Sequence, residues 1–188
     1  VLVINDFAAI GQAVATLDLE KDIDNKKIIP IKDTKGNSPQ PDKKGSRGII
    51  GPGTGLGVSY LGYHKGGYIV LPSEGGHAEL IAANKEEYQF TEFIRNKSRN
   101  EVVAWEDALS GNGLRNIYLF LKKKKSYKKT KFSQEIEESN YDPMLITKYK
   151  NKDKKCNDTF DFFLKFYGRC AKNSALDSLA EGGVYIGG

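Results

Sequence analysis

Apolar residues open the chain as an unbroken run, VLVIN at residues 1–5, and then recur at Phe7, Ile10, Val14 and Leu17 with three- or four-residue spacing. The run predicts a strand and the spaced set a helix with one apolar face, the two meeting at Asp6. Residues 18–48 are polar, with Pro30, Pro39 and Pro41 among many lysines, and predict a long connection around one short strand, IIPIK. From RGIIGPGTGLG to GGYIVLPSE, residues 47–74, apolar runs alternate with glycines as hairpin strands do. Residues 85–99 and 112–123 predict helices. Phe160, Phe163, Leu164, Tyr167, Ala171, Ala175 and Leu179 predict a long helix from Asp158 to Leu179, buried on that face and stopped by Glu-Gly-Gly before a closing strand, VYIGG. Strands first, helices after and a final strand imply an α/β domain.

Composition narrows the class. The 188 residues, 39% hydrophobic and 11% aromatic, suffice for one sizeable core, or one large lobe plus part of another. No apolar run reaches the roughly 20 residues that span a bilayer, and the first residues lack the basic start of a signal peptide, so a cytoplasmic protein with no membrane partner is expected. Cys156 and Cys170 are too far apart for a metal knuckle and read as ordinary reduced thiols. The net charge of +5 is concentrated in LKKKKSYKKTK, 121–131, and KYKNKDKK, 148–155. Lysines neutralise phosphates, but one tyrosine and no arginine pattern make a poor nucleic-acid surface, so these runs predict solvated insertions and no nucleic-acid partner. The chain opens on a strand without an initiating methionine and stops at Gly-Gly, and so looks cut at both ends.

Three stretches carry candidate chemistry. GPGTGLG, residues 51–57, has a backbone able to turn several N–H groups on one anion with the Thr54 hydroxyl beside them, or serves as a structural turn. Asp6, beside Asn5 at a strand end, is either a helix cap or a carboxylate kept ionised by the helix dipole and able to take a hydroxyl proton. In LPSEGGHAEL, Glu74 and His77 flank two glycines. Carboxylate and imidazole match the donors and acceptors of a polyol while bare backbone lets it approach; the same stretch also suits a tight turn with an incidental salt link. Glu106, in EDALSGNGL, is a third acidic candidate or an exposed helix-end charge.

Taken in order, VINDFAA, GTGLGVSYL, LPSEGGHAEL, EDALSGNGL and GGVYIGG resemble the bacterial-type glucokinases, ATP-dependent hexose kinases of the actin-like ATPase and hexokinase superfamily. The resemblance implies the large lobe of a ribonuclease H-like sugar kinase, a mixed sheet flanked by helices. Residues 1–16 would be the end of a small lobe carrying the catalytic aspartate, and 17–188 the large α/β lobe with lysine-rich insertions near 18–47 and 121–155. It implies phosphorylation of glucose at the 6-hydroxyl, with Asp6 as base and Asn5, Asp6, Glu74, His77 and Glu106 on the sugar. Gly53, Thr54 and Gly55 would bind phosphate, and Gly187 and Gly188 would lead into the adenosine loop. ATP and Mg2+ are the implied cofactors, glucose and ATP the partners, with a homodimer possible; no residue here is assigned to metal. The family's Asp-x-Gly-Gly-Thr phosphate segment is missing, so the chain alone is expected to be inactive; a sugar-binding module without chemistry is the alternative.

Overall fold

The computed structural model describes residues 6–187. The strand expected at residues 1–5, and with it Asn5, lies outside them, as does Gly188. The elements are α1 (Asp6–Ala15), α2 (Leu19–Asp24), β1 (Arg47–Pro52), β2 (Leu56–His64), β3 (Gly67–Ser73), a 3-10 turn (Gly75–His77), α3 (Lys85–Ser98), a second 3-10 turn (Trp105–Asp107), α4 (Gly111–Lys124), α5 (Lys131–Glu138), α6 (Pro143–Lys148), α7 (Lys154–Asp177) and β4 (Val184–Ile186). The described residues divide into two compact units, one of 6–51, 57–74 and 171–187, the other of 52–56 and 75–170.

The first unit carries a four-stranded mixed sheet in the order β3-β2-β1-β4, with β1 and β4 parallel and β2 and β3 antiparallel. The β2–β3 hairpin turns on Lys65 and Gly66, at φ 48° and 88°. Two consecutive positive-φ residues twist with the strands, and glycine at the second removes the Cβ clash. Helix α1 packs on β3 so closely that a Cβ at Gly11 would come 2.6 Å from Val70 Cγ1. Val14, Ile49 and Leu61 form the buried centre here, with Phe7, Leu17, Tyr68, Val70 and Tyr185 around them. Arg47, only 3% exposed, gives its Nη1–H to the Val14 carbonyl at 2.8 Å. Its guanidinium lies 4.2 Å above the Tyr68 ring, so hydrogen bonding and the ring's negative face offset desolvation of the charge.

Residues 28–32 form no strand. Pro30 removes a ladder donor, and Ile29 and Ile31 are 82% and 71% exposed. The polar connection instead folds α2, where Asp18 accepts from the Lys21 amide at 3.3 Å as a helix cap.

The second unit is helical. The two helices expected at 85–99 and 112–123 are α3 and α4, and Ser110 caps the latter. Phe90 and Phe162 each pack edge-on, tilted or stacked against the other and against Phe120 and Phe166, with ring centroids within 6.1 Å, in the arrangements ring quadrupoles prefer. Helix α7 buries a different stripe from the one expected: Thr159, Phe162, Phe166, Cys170 and Ser174 lie inside, with Phe163 beside them, while Leu164 and Leu179 face solvent. The stretch DTFDFFLKFYGRC is apolar around most of its circumference, so spacing alone leaves the buried face undetermined.

The expectation of solvated insertions fails for the residues between the lysine runs and for the second run itself, where Tyr149, Asp153 and Lys155 are buried. Lys122 to Lys125 are exposed, but α5 and α6 carry Ile136 and Ile146 into a closed cluster with Tyr118, Tyr149 and Cys156. Burial pushes the Cys156 thiol up to about 12, which keeps it protonated and unreactive, and neither cysteine is in a disulfide. Among the described residues no helix is long and apolar enough to cross a membrane.

Because Ile136 and Ile146 are fully buried, replacing either with Ala should cost about 2–5 kcal/mol by urea denaturation. Ile29→Ala should change stability by less than about 0.5 kcal/mol. Equal effects at the three positions would mean that the cluster does not close.

Candidate active site

Glycine sets the local geometry of each motif. In the first unit, a Cβ at Gly57 would stand 1.9 Å from the Phe7 ring, and one at Gly51 would stand 2.7 Å from its Cζ. Two glycines of the GPGTGLG neighbourhood are therefore bare to seat Phe7, which fixes the start of α1 and the adjoining Asp6. This is a role that reading the glycines as an anion cradle misses. Asp6 is the exposed first residue of α1, and its Oδ1 accepts from the Phe7 amide at 2.9 Å. Glu74 follows the end of β3 and is exposed. Gly187 donates its amide to the Ile50 carbonyl at 3.0 Å, which extends the β1–β4 pairing by one bond.

In the second unit the remaining candidates come together. The Gly53–Gly55 loop is closed by the Gly53 amide donating to the Gly55 carbonyl at 2.8 Å, and held by the Gly111 amide donating to the Gly53 carbonyl at 2.9 Å. The loop thus hangs on the first turn of α4, with Gly53 and Thr54 exposed. The turn Gly75–His77 lies directly against Leu56, since a Cβ at Gly76 would be 2.0 Å from the Leu56 carbonyl oxygen. His77 Nδ1 is 3.2 Å from Glu106 Oε1. The other carboxylate oxygen of Glu106 faces Gly55, where an added Cβ would be 2.9 Å away. One carboxylate therefore touches both the imidazole and the glycine loop.

The turn bearing Glu106 is itself tightly held. The Trp105 amide donates to the Ala78 carbonyl at 3.0 Å, and the Leu80 amide donates to the Val103 carbonyl at 2.8 Å. Asp107 accepts from the Ala104 amide at 2.9 Å, and Ser110 Oγ donates to the Glu106 carbonyl at 2.7 Å. Beneath, Asn116 donates to the Asp107 carbonyl at 3.0 Å and accepts from Lys97 Nζ at 2.6 Å. Burial lowers the Lys97 pKa from the ordinary lysine value. Trp105 is buried against Phe166, under the Arg169 guanidinium, which also pairs with Glu87.

A mixed-sheet α/β chain with a glycine loop beside a Glu–His pair has the parts of a sugar kinase lobe, and comparison with known proteins gives the family. The family model Glucokinase matches residues 1–188. Glucokinase of Nostoc punctiforme is 32% identical over 201 residues, spanning 100% of this chain and 56% of that protein. Glucokinase of Nitrobacter hamburgensis is 36% identical, with 100% and 52% covered. A crystal structure of glucokinase from an Antarctic psychrotroph superposes with a TM-score of 0.73 at 28% identity, covering 99% of this chain and 52% of that one. The fold of Balamuthia mandrillaris glucokinase, solved in complex with glucose, is shared at a TM-score of 0.72 and 24% identity, with 98% and 50% covered. The chain belongs to the glucokinase family, and it spans about half the length of the curated relatives it matches.

The contact at Gly76 yields a direct test. Overpacking against backbone costs on the order of 1–3 kcal/mol, so Gly76→Ala should lower stability by that amount. Gly67→Ala, where nothing lies within 4 Å of the added carbon, should be close to neutral. A urea melt of both variants checks this; Gly76→Ala as stable as the parent would show that the turn stands off from Leu56.

Proposed function

We propose that the protein of which this chain forms part transfers the terminal phosphoryl group of ATP to the 6-hydroxyl of glucose. The observation that carries this reading is the Glu106 carboxylate, 3.2 Å from His77 Nδ1 through one oxygen and against Gly55 through the other. It ties a polyol-recognition pair to a phosphate-sized glycine loop. Family membership across residues 1–188 supports the same reading.

Each residue has a chemically definite part. With its Nδ1 directed at Glu106, His77 turns its other ring nitrogen to a sugar hydroxyl. Glu74 and Glu106 accept from further hydroxyls, and bare backbone at Gly76 keeps the turn seated on Leu56, which holds His77 beside Glu106. Asn5 is assigned a further sugar hydroxyl by its place in the family motif alone. Asp6, at the start of α1, takes the proton of the 6-hydroxyl as that oxygen bonds to phosphorus and the bond to the ADP oxygen breaks.

The loop fits a phosphate chain. Gly53 has open space where a side chain would stand, and Thr54 adds a hydroxyl to the backbone N–H groups of the loop. Gly53, Thr54 and Gly55 would hold the phosphate oxygens, and Gly187 and Gly188 are assigned to the adenosine side by their place in the family motif. ATP supplies the phosphoryl group and Mg2+ supplies charge neutralisation. Among the described residues no three His, Cys, Asp or Glu side chains gather as a metal site, and no step above passes through the metal.

Two outcomes test these assignments in the full-length protein. Asp6→Ala should lower kcat by about 10²–10⁴ while glucose still binds, since the loss is that of a general base; unchanged turnover would remove Asp6 from the chemistry. His77→Ala should raise KM for glucose more than it lowers kcat, because a contact to a non-reacting hydroxyl serves ground and transition states alike. Steady-state kinetics decides, and a pure kcat loss at constant KM would overturn the role.

A further inference from the structure

The second unit holds a basic cavity that sugar phosphorylation does not use. Its volume is ≈ 480 Å³, and seven lysines line it, Lys122–Lys125 with Lys128, Lys129 and Lys155, against one carboxylate, Glu137. Lys122 pairs with Glu137 at 2.8 Å, and Lys124 and Lys125 share Glu86 at 3.0 and 3.7 Å. Among the described residues Lys123, Lys128 and Lys129 form no ion pair, so the lysines on the wall outnumber the carboxylates that pair with them.

Lys155 differs from the rest. It is 6% exposed, and its ammonium lies 4.6 Å above the Tyr118 ring and 5.7 Å from that of Tyr127. Among the described residues it has no salt bridge, although Glu137 and Asp153 are near enough to act on its charge. Burial pulls its pKa below the usual lysine value, against the opposing pull of Glu137 and Asp153. Like charges gathered on a concave, partly desolvated wall oppose folding, and a multiply charged anion inside relieves that repulsion.

We propose that this cavity binds a small anion with several adjoining phosphate groups, held by Lys123, Lys128, Lys129 and Lys155. Lysine is a compact point charge with rotatable donors, suited to a flexible phosphate chain rather than to planar bidentate recognition. A cavity of this size takes a chain of two to three phosphates. Tyr127 is the one aromatic side chain on its lining, which leaves no row of rings for stacking successive bases of a nucleic acid.

The probe is sodium tripolyphosphate, added to the full chain at constant ionic strength and read by thermal unfolding and isothermal titration. A ligand that binds only the folded state raises the melting temperature with concentration. The parent should show this, with affinity at least tenfold above that for orthophosphate. Lys123, Lys128 and Lys129 changed together to Ser should lose at least tenfold in affinity. Lys155→Met, which keeps side-chain length without the charge, should lose affinity while folding normally. A control with Lys26, Lys32 and Lys35 changed to Ser should bind as the parent does. Titration with ATP separates the sources: an affinity matching tripolyphosphate places the phosphate chain alone in the cavity, and a tighter one lost in the same triple variant adds the nucleoside. Equal affinity for orthophosphate and tripolyphosphate, a shift surviving in both cavity variants, or tighter binding of a single-stranded oligonucleotide would overturn the proposal.

Discussion

Every candidate group in the helical unit depends on the missing Cβ at Gly76. Only bare backbone lets the Gly75–His77 turn lie on Leu56, where a methyl carbon would come within 2.0 Å of a carbonyl oxygen. That approach puts His77 at Glu106, and Glu106 in turn against Gly55. A side chain at either glycine would push apart groups whose usefulness lies in being a few ångströms from one another. The same device recurs in the sheet unit, where Gly51 and Gly57 leave a flat place for the Phe7 ring. Close approach of backbone explains these glycines better than flexibility does, since none of the four has the positive φ that only glycine accepts easily.

Glu106 has to be held as well as reached. Its own side chain is one-third exposed, so water competes for it, and its pairing with His77 is of modest strength taken alone. Rigidity comes from below, through Asp107 capping the turn, Ser110 fastening the Glu106 carbonyl and starting α4, and Asn116 and Lys97 supporting the Asp107 carbonyl. Trp105 anchors the turn in the aromatic core. Placement by a network of satisfied hydrogen bonds costs little at the moment of binding, which is the condition for a preorganised site.

Much of this was legible from residue order. The helices at 85–99 and 112–123, the hairpin and the closing strand followed from periodicity and turn chemistry, because each has its apolar side chains on one face and a cap or glycine at its end. The buried face of α7 was not, since Phe160, Phe162, Phe163, Leu164 and Phe166 surround the axis and only tertiary contacts choose among them. IIPIK failed for want of a neighbour: alternating isoleucines make a strand only where another strand pairs with them, and Pro30 weakens the pairing further. At the site, the motifs pointed to His77, Glu106 and the glycine loop, but nothing in their spacing revealed that one carboxylate links the other two. The seat of Phe7 was equally hidden, because a glycine vacated for an aromatic ring and one vacated for a phosphate look alike in sequence.

The lysine-rich region shows how composition misleads when charge and burial belong to different residues of one segment. Between lysines that stay in water, Ile136 and Ile146 close on Tyr118, and Lys155 is drawn in over the same ring. The apolar contacts order α5 and α6, and that order holds the lysines around a cavity instead of letting them spread as an unstructured loop would. Flexible like charges separate until solvent screens them, over about 8 Å at physiological salt. Here Lys155, buried over the Tyr118 ring, is the one lysine of the cavity wall that packing takes out of water. Hydrophobic packing thus supplies the free energy that holds Lys155 against the ring, and the anion proposed for the cavity would offset part of the cost of burying that charge.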